Sequence, residues 1–171
     1  MNPKYITVHC AYTKPSMDIG VKEIRDWHVN GNGWSEVGYH AVIRFNGTIE
    51  DGRPYDVQGA HVGGHNANNI GICLVGGMSE DGKGAEDNFT PEQMNSLRNL
   101  IEDLMEKFNI PLENVKAHNE WSSAKGRGCP CFDFREFIQK NFIETNKPEP
   151  TEGLTITIPK GVKEITLKFE Q

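Results

Sequence analysis

Ile70-Gly71-Ile72-Cys73-Leu74-Val75 is an uncharged run of strand length. Its apolar residues do not alternate with polar ones, which is the pattern of a strand covered on both faces inside a sheet. Cys73 within it reads as a small core residue. Just upstream, Gly59-Ala60-His61-Val62-Gly63-Gly64-His65-Asn66 is a glycine-rich loop whose backbone can approach a ligand closely. His61 and Asn66 are placed at a substrate groove on that basis; a plain surface loop is the competing reading. Before it, His40 to Phe45 and Thr48 to Glu50 flank Asn46-Gly47, a hairpin signal. His40 reads as core. Further back, Val21, Ile24, Trp27 and His28 recur at helical spacing and predict one buried helix face, capped by Asp18 or Ser16 and stopped at Gly31-Asn32-Gly33. Tyr5 to Cys10 reads as a first strand that ends on a polar residue, His9.

Downstream, Gly76 to Asn88 is a polar loop. Thr90-Pro91-Glu92-Gln93 is a helix start, with Thr90 as N-cap, Pro91 first and Gln93 closing a capping box. Met94, Leu97, Leu100, Ile101, Leu104, Met105 and Phe108 make its apolar stripe. Val115-Lys116-Ala117 is a last short strand delivering His118. Asp133 caps a final helix over Phe134 to Asn141. Strands thus alternate with helices, which predicts an α/β domain: one mixed sheet with helices on both faces, over residues 1–143. Residues 144–171 form a Pro-containing linker and two alternating segments, Leu154 to Ile158 and Glu164 to Phe169, that read as a β-hairpin. A lone hairpin is marginal in water. It therefore needs the domain, a second copy of the chain or an outside polymer to cover it, and a structural or dimerising role is expected.

The chain has 171 residues, 36% hydrophobic and 25% charged, an ordinary globular composition for one domain. A net charge of -6 and a pI near 5.5 argue against a nucleic-acid or membrane-surface partner. No apolar run reaches the ~18 residues a membrane span requires. The N-terminal Met1-Asn2-Pro3-Lys4-Tyr5 lacks the apolar core of a signal peptide. Synthesis in the cytoplasm is expected. Cys10, Cys73, Cys129 and Cys131 are too few and too uneven for a disulfide framework.

His9, His118 and Cys129 are far apart in sequence. Two imidazoles and one thiolate suit zinc and leave its fourth position open, as catalytic sites require. Residue type alone does not single them out, because 6 histidines and 4 cysteines allow many such triples and each has a packing alternative.

The wider pattern does single them out. Val8-His9-Cys10, Thr13-Lys14-Pro15-Ser16, Glu23-Ile24-Arg25-Asp26-Trp27-His28 and Val37-Gly38-Tyr39-His40 are followed in order by Ile70 to Gly77, Asn88-Phe89-Thr90-Pro91, Ser96-Leu97-Arg98, Ala117-His118 and Cys129-Pro130. This colinear series resembles the zinc-dependent N-acetylmuramoyl-L-alanine amidases of type 2, which share a fold with the peptidoglycan recognition proteins. It covers residues 5 to 142. The resemblance implies one zinc on His9, His118 and Cys129, with Tyr39 as the catalytic tyrosine. It implies hydrolysis of the amide between the muramic acid lactyl group and L-alanine, with peptidoglycan or muropeptides as substrate.

Two departures bear on the site. Phage members carry a lysine two positions before the ligand cysteine, where this chain has Arg127; Arg127 keeps the positive charge in a planar, forked form. Lys125 is the alternative cation, because the loop from His118 to Cys129 is longer than in those members. Cys131, two residues past Cys129, is expected to point away. Two rival functions accompany the resemblance. Recognition proteins that keep the groove and lose the cysteine ligand only bind, but Cys129 is present. Phage members also bind an RNA polymerase, and the four residues before the first strand leave little arm for that. A phage endolysin released by a separate permeabilising protein, or a cytoplasmic muropeptide-recycling amidase, would both lack a signal peptide.

Overall fold

The uncharged run at Ile70 forms most of β4, Asn69–Leu74, which lies at the centre of a five-stranded sheet ordered β3-β2-β4-β1-β5 in the computed structural model. The structure describes residues 1–145. The other strands are β1 (Tyr5–Cys10), β2 (Ala41–Ile43), β3 (Ile49–Asp51) and β5 (Val115–Ala117). β4 pairs in parallel with β1 and β2, and β1 pairs in parallel with β5. Only the β2–β3 hairpin is antiparallel, so the sheet is mixed as expected. The tail segments expected to form a hairpin lie outside the described residues.

Strand pleating divides the core in two. Ile6 and Val8, Ala41 and Ile43, and Ile70, Ile72 and Leu74 point to one face, where α2 (Pro91–Phe108) and α3 (Phe134–Ile138) cover them. Val42, Cys73 and Val75 point to the other face, against Ile24 of α1 (Val21–Asp26). His9 and Thr7 alternate with Ile6 and Val8, so they too point to the α1 face. The helices are thus on both faces, and the metal-type residues share the thinner side.

The start of α2 follows its sequence signal. Thr90 accepts from the Gln93 N–H at 3.1 Å, and the Gln93 side chain accepts from the Thr90 N–H at 3.1 Å. Gln93 is also fully buried and donates to the Ile43 and Val75 carbonyls at 3.1 and 2.9 Å. The capping residue therefore also ties α2 to the sheet.

The start of α1 differs from expectation. Asp18 pairs with Arg44, and Ser16 bonds Glu80. The helix begins after Gly20 instead. Glu23 accepts the Gly20 N–H at 2.9 Å and Glu50 accepts the Val21 N–H at 2.6 Å, which satisfies two orphan donors with carboxylates at the positive helix end. After Asp26 the helix widens to a π turn, Trp27–Gly31. Trp27 still sits at α-helical pitch, its N–H bonded to the Glu23 carbonyl, yet it is exposed rather than core, and His28 is half-buried. β2 is shorter than expected, because His40 and Arg44 lie outside its ladder.

Candidate active site

Parallel neighbours β1 and β5 deliver the two histidines. Val8 is in register with Ala117, so His9 and His118 leave the sheet side by side, with ring centroids 4.2 Å apart. Cys129 arrives from the far end of a loop that folds through short 3₁₀ turns at His118–Glu120 and Ser122–Ala124. The Asn119 N–H donates to the Cys129 carbonyl at 3.2 Å, and the Cys10 N–H donates to Cys129 Sγ at 3.2 Å. One donor atom from each of His9, His118 and Cys129 lies within 4.8 Å of the other two.

The donor set fits a zinc ion by a direct test. His118 Nδ1 is buried with no hydrogen-bond partner among the described residues, a costly state for a ring nitrogen unless it ligates something. His9 Nδ1 lies 3.9 Å from Cys129 Sγ, against roughly 3.5 Å for the same atoms on one tetrahedral zinc. Burial, the largest influence on both histidines, lowers their pKa values. The other two histidines of the cluster lower His9 further, and Arg127 does the same for His118. Both therefore stay neutral, the ligating form.

These residues floor a cleft of about 460 Å³ whose walls include Tyr12, Tyr39, Ala85 and Arg127. Tyr39 is fixed from its neighbours. The Gly38 N–H donates to His28 Nδ1 at 3.0 Å, and the Arg53 N–H donates to the Tyr39 carbonyl at 2.9 Å. Burial pushes the Tyr39 phenol pKa well above its usual value, with nearby thiols adding to the shift, so the group remains a hydrogen-bond donor. Arg127 is solvent-exposed at the cleft wall, whereas Lys125 is not among the lining residues. Tyr12 and Ala85 carried no sequence signal. Tyr12 reaches the cleft with φ +56, a conformation invisible in the residue pattern. A separate cleft of about 490 Å³ beside Trp27 and Ser35 holds none of the metal-ligand, catalytic or substrate-groove candidates named from the sequence.

The two groove candidates sit differently from one another. His61 lies against His9, with Nδ1 3.1 Å from His9 Nε2, and its own Nε2 donates to the Asn69 carbonyl at 3.0 Å. Burial pushes its pKa down to about 3. The Asn66 side-chain oxygen accepts the N–H groups of His61 and Val62, both at 2.8 Å, so it shapes the loop. Both also line a small hollow of about 210 Å³ with Trp34. His40 is core, as expected: the Gly71 N–H donates to Nδ1 and Nε2 donates to the Val57 carbonyl, both at 2.9 Å. Cys131 does not simply turn away. The turn after Cys129, with a Cys131 N–H to Gly128 carbonyl bond of 2.7 Å, brings its sulfur 3.1 Å from Cys10 Sγ. The Cys10 partnership leaves Cys131 outside the ligand group.

Fold and cleft together describe an α/β domain with a three-donor metal cradle at the carboxyl ends of parallel strands. A family model described as N-acetylmuramoyl-L-alanine amidase matches residues 1–132. The chain belongs to this family and is an endolysin-like amidase, a peptidoglycan hydrolase. It is 45% identical to the endolysin of Escherichia phage T7 over 141 residues, which is 82% of this chain and 89% of that one. With the endolysin of Klebsiella phage KP32 it shares 43% over the same length and coverage. Among solved structures, the N-acetylmuramoyl-L-alanine amidase LysC from Clostridium intestinale superposes with a TM-score of 0.65 at 33% identity, covering 81% of this chain and 85% of that one. Drosophila PGRP-LB superposes with a TM-score of 0.63 at 25% identity, covering 81% of each chain.

Proposed function

We propose that the chain cleaves the amide between the muramic acid lactyl group and L-alanine with one zinc ion held by His9, His118 and Cys129. The observation that carries this is the convergence of donor atoms from three residues within 4.8 Å at the cleft floor, where His118 Nδ1 is buried and has no partner among the described residues. A zinc ion held there would activate a water molecule for attack on the amide and polarise its carbonyl.

The chain's own groups supply the rest. The Tyr39 hydroxyl, kept protonated, donates to the oxygen on which negative charge develops. Arg127 at the cleft wall adds positive charge beside the same oxygen. His61 backs His9 and is not among the residues lining the cleft. We assign residues 1–143 as the catalytic domain and 144–171 as linker and tail, with pairing of two copies through that tail as part of the same reading. Action on the cell wall after release from the cytoplasm follows the phage relatives, which are endolysins. No helix among the described residues is long and apolar enough to cross a membrane.

Elemental analysis of the purified protein tests the metal assignment. About one zinc per chain is expected, with activity lost on chelation and restored by added zinc. Full activity in metal-free protein would overturn the assignment. The non-catalytic binding reading would require the cradle to be incomplete, and Cys129 completes it.

A further inference from the structure

We infer that His61 is a positioning residue that sets the tautomer of His9, so that His9 presents a bare Nδ1 to the metal. This rests on the reading of His9 as a ligand. Three hydrogen-bonding groups in series set that tautomer. A carbonyl oxygen can only accept, so the 3.0 Å contact between His61 Nε2 and the Asn69 carbonyl puts the His61 proton on Nε2. A neutral imidazole protonated there has a bare Nδ1. That Nδ1 is 3.1 Å from His9 Nε2, so His9 Nε2 carries the proton and donates. His9 Nδ1 is then the lone pair left over, and it is the atom 3.9 Å from Cys129 Sγ.

The backbone is built to hold this ring in place. A Cβ added at Gly71 would lie 2.6 Å from His61 Cγ, and one added at Gly59 would lie 2.7 Å from His61 Cδ2. Those are distances that real Cβ atoms do not show, so both positions must be glycine for the ring to lie flat on the sheet. The two rings stand perpendicular, with an interplanar angle of 90°, so the edge of one meets the edge-borne nitrogen of the other. Asn66 fixes the chain at His61 from behind through the His61 and Val62 N–H groups. A surface histidine of a flexible loop would need none of this. Fixing ligand orientation by a partner on the second ring nitrogen is typically worth about 10- to 100-fold in metal affinity.

Two near-isosteric variants isolate the effect. His61→Asn keeps an acceptor oxygen where Nδ1 stands, whereas His61→Leu keeps the bulk and removes the acceptor. Zinc affinity of the metal-free proteins is measured by competition with a chromogenic chelator, and their melting temperatures are recorded in parallel. His61→Leu should bind zinc roughly 10- to 100-fold more weakly than the parent. His61→Asn should stay within a few-fold. Equal affinity for parent and His61→Leu, or an equal loss in both variants, would overturn the inference. If His61→Leu does not fold, nitrogen-15 NMR of the unmutated zinc-loaded protein decides. A proton on His9 Nε2 supports the inference, and a proton on Nδ1 overturns it. A parent protein that binds no zinc would instead refute the ligand reading itself.

Discussion

The Cys10 backbone N–H donates to Cys129 Sγ at 3.2 Å, so the residue after one candidate ligand holds the sulfur of another across 119 positions of sequence. That contact holds the sulfur where the donor atoms of His9 and His118 converge. Cys129→Ser should therefore lose both zinc and turnover. Cys131→Ser should keep both, because its sulfur faces Cys10 rather than the histidines. Zinc content and dye release from labelled cell walls would check this, and the reverse pattern would show that Cys131 is the ligand.

Tyr39→Phe removes one hydroxyl and leaves the ring against His9, centroids 5.2 Å apart. Turnover should fall by roughly 100- to 1000-fold, the usual loss for one donor at a developing oxyanion. Zinc content should not change. The phenol is a donor below its folded pKa, which is raised, so the alkaline fall in rate should not come from Tyr39. A parental rate in Tyr39→Phe would reduce this side chain to packing.

Arg127 and Lys125 are separable by single substitutions. Arg127→Ala should lower turnover by about 10- to 100-fold with substrate affinity little altered, as expected for loss of charge stabilisation in the transition state. Arg127→Lys should recover part of it, since the charge returns without the planar fork. Lys125→Ala should be silent. Steady-state rates on soluble muropeptides decide, and a large loss in Lys125→Ala would exchange the two roles.

His61 gives the metal-free protein a signed pH dependence. Its folded pKa of about 3 lies below the ordinary value of roughly 6.5, so the unfolded chain binds the extra proton first. The contribution to stability is complete above pH ~6.5 and is lost progressively as pH falls toward ~3. Thermal melts of metal-free parent and His61→Asn at several pH values should converge as pH drops from 7.5 to 4.5. Parallel curves would contradict the sign.

Much of the fold was legible because it rests on local chemistry. Thr90-Pro91-Glu92-Gln93 starts α2 where its capping residues say it should, and Asp133 accepts the Glu136 N–H at 2.9 Å at the start of α3. The ligand set was legible only through the whole colinear pattern, since His9 and Cys129 meet through long-range register. What sequence missed has physical causes. Helical spacing put Trp27 and His28 on one buried face, but the regular α-helix ends at Asp26, Trp27 is exposed, and His28 accepts the Gly38 N–H instead of packing in the core. The partners of His61 lie 52 residues back in the chain and on a backbone carbonyl, so its histidine-to-histidine contact had no local signature. Cys131 follows a turn rather than a strand, so alternation did not govern where its sulfur points.

The claim that matters most is metal-dependent cleavage of one bond, and mass spectrometry of purified peptidoglycan digested with metal-free and zinc-restored protein tests it. Zinc-restored protein should release stem peptides with a free L-alanine amino terminus and leave glycan strands bearing free lactyl carboxylates, while metal-free protein should release neither. Release of the same peptides without metal, or new sugar reducing ends in place of free L-alanine, would contradict it.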